Sequence, residues 1–373
     1  MIIVIGRHKE GFATLKDFKT QHSTQKEESM KPKTLMAMVA VSLIVSISWA
    51  VDGYAQQKTF KWRAQTYAVP GTVGYKSQEI ALHHLKEATG GRLDVKLHGT
   101  GVLVGAFESL EACGKGVFEA VHHPDAFATR LDAGFAPIFS AIGLWDDTRE
   151  VRIWIEGYGG KKIMNEAYAK YNLHYGGSTL IGAEPIMSKV PLRKLEDFKG
   201  IKIRTPAGLT SMLFMKLGAS PVPLPGGEIY TALDTGVINA AEFVTLSENF
   251  GAGLHEVSKY VLYPSFHGPI AIVNWGVHMD TWKKLPDDLK VAFEMMVYEA
   301  DYLYDIMSAA ADHDALKKMI AKGLEHTRLS TADMERAKKL SMEVALEYKK
   351  KSPLSDKVIT SIIDYLKATE KLK

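Results

Sequence analysis

From residue 58 onward the chain alternates short β-rich runs with helical ones, and that alternation limits the folds open to it more than any other feature. Residues 60–66 (FKWRAQT) alternate like a half-buried strand, and 73–89 repeat apolar residues at helical spacing until Gly90-Gly91. Residues 93–97 predict a second strand, 107–116 a helix and 118–122 a third strand. This β-α-β-α-β order predicts a mostly parallel sheet with helices on its faces. Residues 154–171 predict one amphipathic helix, followed by a strand over 174–180.

A second α/β series follows. Residues 182–188, 201–204, 220–224 and 240–244 read as strands, with helices over 209–217 and over 228–235, the latter closed by Gly236. Beyond Pro286, placed to open a helix at its first turn, the pattern is almost wholly helical. At 373 residues, the chain is long enough for two lobes with separate cores. Two α/β series closed by long C-terminal helices therefore predict an α/β protein of two lobes with a cleft between them. Lobe I is expected over 58–180 plus about 269–309, and lobe II over about 181–268 plus 310–373. Trp145, Trp275, Trp282 and the methionines of 295–307 read as core residues.

The first 57 residues stand apart. Met30, Lys31 and Lys33 precede an apolar run over 35–50, and small residues follow at Gly53-Tyr54-Ala55. This is the three-part pattern of a secretory signal over about 30–55, so residues 1–57 are expected to be dispensable and the mature chain periplasmic. The run is about 16 residues, short of the roughly 20 a membrane helix needs. With one cysteine, Cys113, neither an internal disulfide nor a multi-cysteine metal site can form. The net charge is +3 and the basic residues are scattered among acidic ones, which gives nucleic-acid binding no footprint.

Four stretches occur in a telling order: Gly99-Thr-Gly-Val-Leu-Val-Gly105, Leu195-Glu-Asp-Phe-Lys-Gly-Ile-Lys-Ile-Arg204-Thr-Pro, Gly226-Gly-Glu-Ile-Tyr through Ala240-Ala-Glu242, and Trp282-Lys-Lys-Leu-Pro286. In this order, from about residue 58 to the C-terminus, the chain resembles the solute-binding proteins of tripartite ATP-independent periplasmic (TRAP) transporters. The resemblance implies a two-lobed periplasmic binding protein fold with an interlobe cleft, a carboxylate ligand and TRAP membrane subunits as partners. The third stretch is most similar to the subgroup that binds 2-oxo and 2-hydroxy monocarboxylates, such as pyruvate or lactate, together with a metal cation. By that resemblance Arg204 pairs with the ligand carboxylate, while Glu184 and Glu242 hold the cation, with Phe243 beside them. Glu184 stands where the subgroup often has Gln, and Phe243 where it often has Trp. In the same subgroup, C-terminal helices can mediate homodimers.

The residues support this independently. Arg204 ends an apolar strand before Thr205-Pro206, where a side chain projects into the crevice at which open sheets bind ligands. Its fork of donors matches a carboxylate with two parallel hydrogen bonds. Glu242 lies among apolar neighbours and needs a cation, basic side chain or metal. Two glutamates, a ligand carboxylate and carbonyls make an all-oxygen site for a hard ion, Ca²⁺ or Na⁺. Gln65, Phe127 and His267 are candidate cleft-wall residues. His122, His123 and Asp125 invite a zinc reading, but adjacent strand residues point to opposite faces. Gly99 to Gly105 and Gly226-Gly227 read as turns rather than phosphate cradles, with amides near the first turn expected to face the cleft.

An exported metal-dependent enzyme acting on a small carboxylate is the alternative. It would require a nucleophile or base with an orienting partner. No Gly-x-Ser-x-Gly or His-Glu-x-x-His occurs. A sensor ectodomain lacks a link to a signalling part. Binding without catalysis is the expectation.

Overall fold

The computed structural model describes residues 58–268 and 270–372; the signal expected over 30–55 lies outside them. The first α/β series runs β1 (Phe60–Thr66), α1 (Val73–Ala88), β2 (Leu93–His98), α2 (Ser109–Gly114), β3 (Ala120–Pro124), α3 (Phe135–Phe139), α4 (Thr148–Gly157), α5 (Gly160–Ala169) and β4 (Leu173–Ile181). The second runs β5 (Ile186–Ser188), β6 (Lys202–Arg204), α6 (Leu209–Lys216), β7 (Ser220–Val222), α7 (Ile229–Asp234), β8 (Ala240–Glu242), α8 (Leu246–Gly251) and β9 (Tyr260–Leu262). Then come β10 (Ala271–His278), α9 (Met279–Lys283), α10 (Asp287–Ala321), β11 (Glu325–Thr327), α11 (Thr331–Tyr348) and α12 (Pro353–Ala368).

Two sheets result, in strand orders β2-β1-β3-β10-β4 and β11-β9-β5-β8-β6-β7. β1, β2 and β3 are parallel as expected, but β10 runs antiparallel between β3 and β4. The mostly parallel sheet is thus a mixed one, because the chain re-enters the first sheet from the far side after building the second. Strand β11 likewise interrupts the helical C-terminal region and pairs with β9.

The single helix expected over 154–171 is two. Gly159, at φ +89, ends α4 in the left-handed conformation that terminates helices. A Cβ on Gly160 would meet Ile155 Cα at 2.8 Å, so a glycine is needed where the chain folds back. The methionine expectation holds only partly. Met296 is buried, whereas Met295 is 58% exposed on the outer side of α10.

Helix α10, 35 residues long, ties the sheets together. Its first half buries Leu289, Phe293 and Val297 against Trp62, Ala81 and Trp275; its second half buries Ala315 and Met319 with Ile229, Leu246 and Leu254. Helix α11 packs on α6, while α12 packs on α3 and α5. The apolar side of α12 (Leu354, Val358, Ile359, Ile362, Leu366) is consumed within the chain. That side of α12 therefore gives the expected homodimer contact no support.

Candidate functional site

Strand ends of the second sheet gather the polar groups. Arg204 closes β6 beside Ala241 of β8 and Val222 of β7. Glu242 closes β8 opposite Ile186 of β5, which puts Glu184 and the turn before β5 alongside it. Ile186 also pairs with Leu262 of β9, so the loop after β9 reaches the same place. Glu184 N–H donates to Gly268 O at 3.0 Å, which seats His267 against both glutamates.

Arg204 is 4% exposed. Its Nε donates to Leu224 O at 3.0 Å, and Nη1 to Glu242 O at 2.7 Å and Glu242 Oε1 at 3.4 Å. The Phe243 ring lies 5.5 Å from its charge, a cation–π distance. Glycine at 226 permits that ring position, since a Cβ there would come within 2.7 Å of it. Val244, next along, is a β-branched residue at φ +33, a strained conformation of the kind that clusters at functional sites. Asn249 holds this turn by donating to the carbonyls of Phe243 and Thr245.

His267 Nε2 stands 3.7 Å from Glu184 Oε2 and 3.8 Å from Glu242 Oε2, with all three side chains buried. These are charge contacts, longer than hydrogen bonds. Burial, followed by the charge of Glu242, raises the Glu184 carboxyl well above its ordinary range. Burial also opposes ionisation of Glu242, but His267 and Arg204 prevail and lower it. Burial disfavours a charged His267, yet the two glutamates raise it. The three residues each place one ligand atom within 4.8 Å of the others. Two carboxylates and a buried imidazole nitrogen with no hydrogen-bond partner fit a metal cation.

Arg204 also lines a cavity of about 160 Å³ together with Phe107, Phe127, Pro206, Pro223 and Leu224. Phe107 and Phe127 meet edge-to-face at 4.8 Å and come from the loops after β2 and β3. Arg204 is thus common to an apolar cavity and an acidic cluster. A larger cavity, about 270 Å³, lies among Tyr175, Val297, Tyr298 and Tyr302 and contains none of the site residues named above. Its guanidinium, Arg152, is already held by Asp301 at 2.9 Å.

The structure brings together Arg204, Glu184, Glu242, Phe243 and His267, and places Phe127 across the cavity. It puts His267 among the charged groups rather than on the cleft wall. It does not bring Gln65 there. The Gln65 side chain accepts from the Leu103 and Val104 amides and donates to Val104 O, so these amides brace β1 instead of facing a ligand. His122 is pushed down to about 3 by burial and bonds Thr66 and Thr179. His123 contacts Asp125, which Tyr168 and Asn274 hold, making a core network. Cys113 is buried and its thiol pushed up by burial, away from nucleophilic use. Sequence reasoning missed Ser265, whose hydroxyl meets His267 Nδ1, and Glu248; a serine two residues before a candidate histidine is the signal for the first.

The family model for bacterial extracellular solute-binding protein, family 7, matches residues 66–351. A monocarboxylate 2-oxoacid-binding periplasmic protein of Nostoc sp. (strain PCC 7120) is 27% identical over 286 residues, 76% of this chain and 78% of that protein. A TRAP periplasmic solute-binding protein from Rhodobacter sphaeroides, solved in an apo open form, is 27% identical at a TM-score of 0.67, covering 83% of this chain and 99% of that one. Another from Colwellia psychrerythraea, with bound calcium and pyruvate, shares the fold at a TM-score of 0.75 and 22% identity, covering 84% and 96%. Among the described residues no helix is long and apolar enough to cross a membrane. With its two mixed sheets, the helix joining them and a match over most of its length, this chain belongs to bacterial extracellular solute-binding protein family 7, the solute-binding proteins of TRAP transporters.

Proposed function

We propose that this protein captures a small monocarboxylate, a 2-oxo or 2-hydroxy acid such as pyruvate or lactate, together with a metal cation. It holds that ligand without chemistry and delivers it from the periplasm to TRAP membrane subunits, after removal of a signal within residues 1–57. The observation that carries this reading is Arg204. Two of its nitrogens are anchored, while Nη2 makes no hydrogen bond among the described residues and the side chain borders a cavity sized for a few heavy atoms. Glu184, Glu242 and His267 would hold the cation, which would supply a second positive charge to the ligand carboxylate. Phe127, Phe107 and Phe243 exclude water and fit an apolar tail. The name of the Nostoc relative agrees with this ligand class.

The first series with residues 269–309 would form one lobe and 181–268 with 310–348 the other. Helix α12 would go with the first, since it packs on α3 and α5. Closure of the lobes by hinge motion would bring Phe127 and Arg204 onto opposite sides of the ligand. A thermal-shift screen of the mature chain with pyruvate, lactate and longer 2-oxo acids, with and without added cations, tests the reading. A rise of several degrees with one of these acids is expected; no shift with any of them refutes the ligand class.

A further inference from the structure

We infer that the cavity between α4, β4 and α10 is a second ligand site, one that takes an organic cation with an apolar body. The inference does not rest on the ligand proposed for the Arg204 site. At about 270 Å³ this cavity is larger than the one beside Arg204, about 160 Å³. Its walls are Ile155 of α4, Tyr175 and Leu180 of β4, and Val297, Tyr298 and Tyr302 of α10. A concave, mostly apolar hollow with a few polar groups is the usual form of a small-molecule site. The walls are also held in place. Arg152 Nε donates to Asp301 at 2.9 Å, and one helical turn away the Tyr298 hydroxyl donates to Glu156 at 2.8 Å, so α4 and α10 are tied twice. Asp301 also accepts from Leu180 N–H at 2.8 Å, which fixes α10 to β4. A ligand entering such a frame has little left to order.

The polar groups select the class of ligand. Four carboxylates, Glu156, Glu294, Asp301 and Asp305, face two basic side chains, Arg152 and Lys161. Arg152 is spent on Asp301 and Thr148 and stands 3.7 Å from Asp305; Lys161 stands 3.9 Å from Glu156. Glu294 is left over. Among the described residues its partner is His174, at 4.0 Å, and burial pushes that imidazole down to about 4, so it is neutral near pH 7. The hydroxyl donors are spent as well. Ser178 donates to Asn274 at 2.6 Å, so Tyr175, at 2.6 Å from Ser178, donates to it, and Tyr298 donates to Glu156. An anion would find surplus acid and few free donors here. An ammonium group would answer Glu294, and the tyrosine rings attract a cation through their faces. Tyr298 and Tyr302 are 44% and 63% exposed, so an apolar body laid on them would also remove aromatic surface from water.

The test is calorimetric titration of the mature chain at pH 7 with 2-phenylethylammonium and with 2-phenylethanol, its neutral counterpart. Saturable binding of the ammonium is expected with a Kd below about 1 mM, and binding of the alcohol at least about fivefold weaker. Glu294→Gln should weaken the ammonium about fivefold, and Tyr302→Ala about threefold. Both side chains reach solvent, so these variants should fold as the wild type does. Excess pyruvate should leave ammonium binding unaltered, because the cavity shares no residue with the Arg204 site. The inference is overturned if the ammonium does not saturate by about 10 mM, if the alcohol binds equally well, or if both variants keep wild-type affinity. Displacement by pyruvate would place the ammonium in the cleft and overturn it too. A failure of pyruvate to bind at all refutes the proposed function and leaves this inference standing on the two variants.

Discussion

Glu242 and Glu248 lie on one short stretch of chain, both almost fully buried, and their environments push their protons in opposite directions. Around Glu242 stand Arg204 and His267, and the carboxyl is held below its ordinary range even though burial opposes this. Around Glu248 stand a helix terminus and more acid. Its Oε1 accepts from Gly74 N–H at 2.9 Å at the start of α1, and Asp312 is the charge that acts on it. Burial raises Glu248 to about 7, and it in turn helps burial to push Tyr67 and Tyr304 up. A helix N-terminus favours an anion by about 0.3–1 kcal/mol in most settings, too little to offset full desolvation. A buried carboxylate in this fold thus keeps its charge only where a cation faces it. The Glu242 region is built to hold charge; the Glu248 region holds a proton and joins α8 to α1.

The largest expected effect comes from taking the cation away from the first region. Arg204→Met leaves the Glu242 carbonyl and carboxylate without their main partner, and removing one member of a buried ion pair costs about 3–5 kcal/mol. Urea unfolding should show that loss, and calorimetry should show monocarboxylate affinity falling at least about 100-fold, near 3 kcal/mol. If both quantities stay within a few-fold of wild type, Glu242 does not depend on Arg204 and the contrast with Glu248 fails.

A smaller effect is expected from the second region, and its sign follows from linkage. A carboxyl at about 7 in the folded protein and about 4.3 in the unfolded chain binds its proton more tightly when folded. Its contribution to stability is complete below about pH 4 and is lost as pH rises through about 7. Glu248→Gln cannot ionise, and its amide oxygen can still accept from Gly74 N–H. The variant should therefore show a shallower fall of stability between about pH 5 and 7, the remainder coming from Glu184, and exceed wild type at pH 8 by on the order of 2 kcal/mol. Urea midpoints across that range measure it; an unaltered slope means that Glu248 titrates as an ordinary surface acid.

The two regions differ also in how far the sequence displays them. Arg204 is legible because it ends a strand with apolar residues at Ile201 and Ile203, Glu242 because it is an acid inside the apolar run 240–244, and the family resemblance points to Glu184. His267 reads only as a wall residue, because its approach to the glutamates depends on β5 pairing with both β8 and β9, a long-range register with no local signal. Strand β10 escapes notice for a related reason. Its run of buried residues, Ala271 to Val277, lacks the period-two pattern of a half-buried strand. The break between α4 and α5 is different, since Gly159-Gly160 lies in plain view inside the helical run. Glu248 has no local signal either: it sits in a short helix whose polar residues look solvated until α10 packs on it and Gly74 of α1 bonds its carboxylate.

The smallest and most selective effects concern the glycines that face each region. A Cβ on Gly268 would lie 2.9 Å from Glu184 Oε2, and one on Gly74 would lie 2.8 Å from Glu248 Oε1. In both cases the obstacle is the end of a side chain, so the carboxylate moves and the backbone does not. Gly268→Ala should displace a cation ligand and weaken cation affinity about tenfold, while the share of the stability slope that Glu248→Gln removes stays unaltered. Gly74→Ala should do the reverse. Alanine gains about 1 kcal/mol of helix propensity at the start of α1, and the lost hydrogen bond costs about the same, so net stability should change by less than about 1 kcal/mol. Because the Gly74 N–H is the bond that lowers the Glu248 carboxyl, its loss should move the midpoint of the stability slope above pH 7 while monocarboxylate binding stays constant. If Gly74→Ala weakens ligand binding, or Gly268→Ala changes the share of the slope that Glu248→Gln removes, the two carboxylate regions act as one coupled unit, and the division between charge holder and proton holder is wrong.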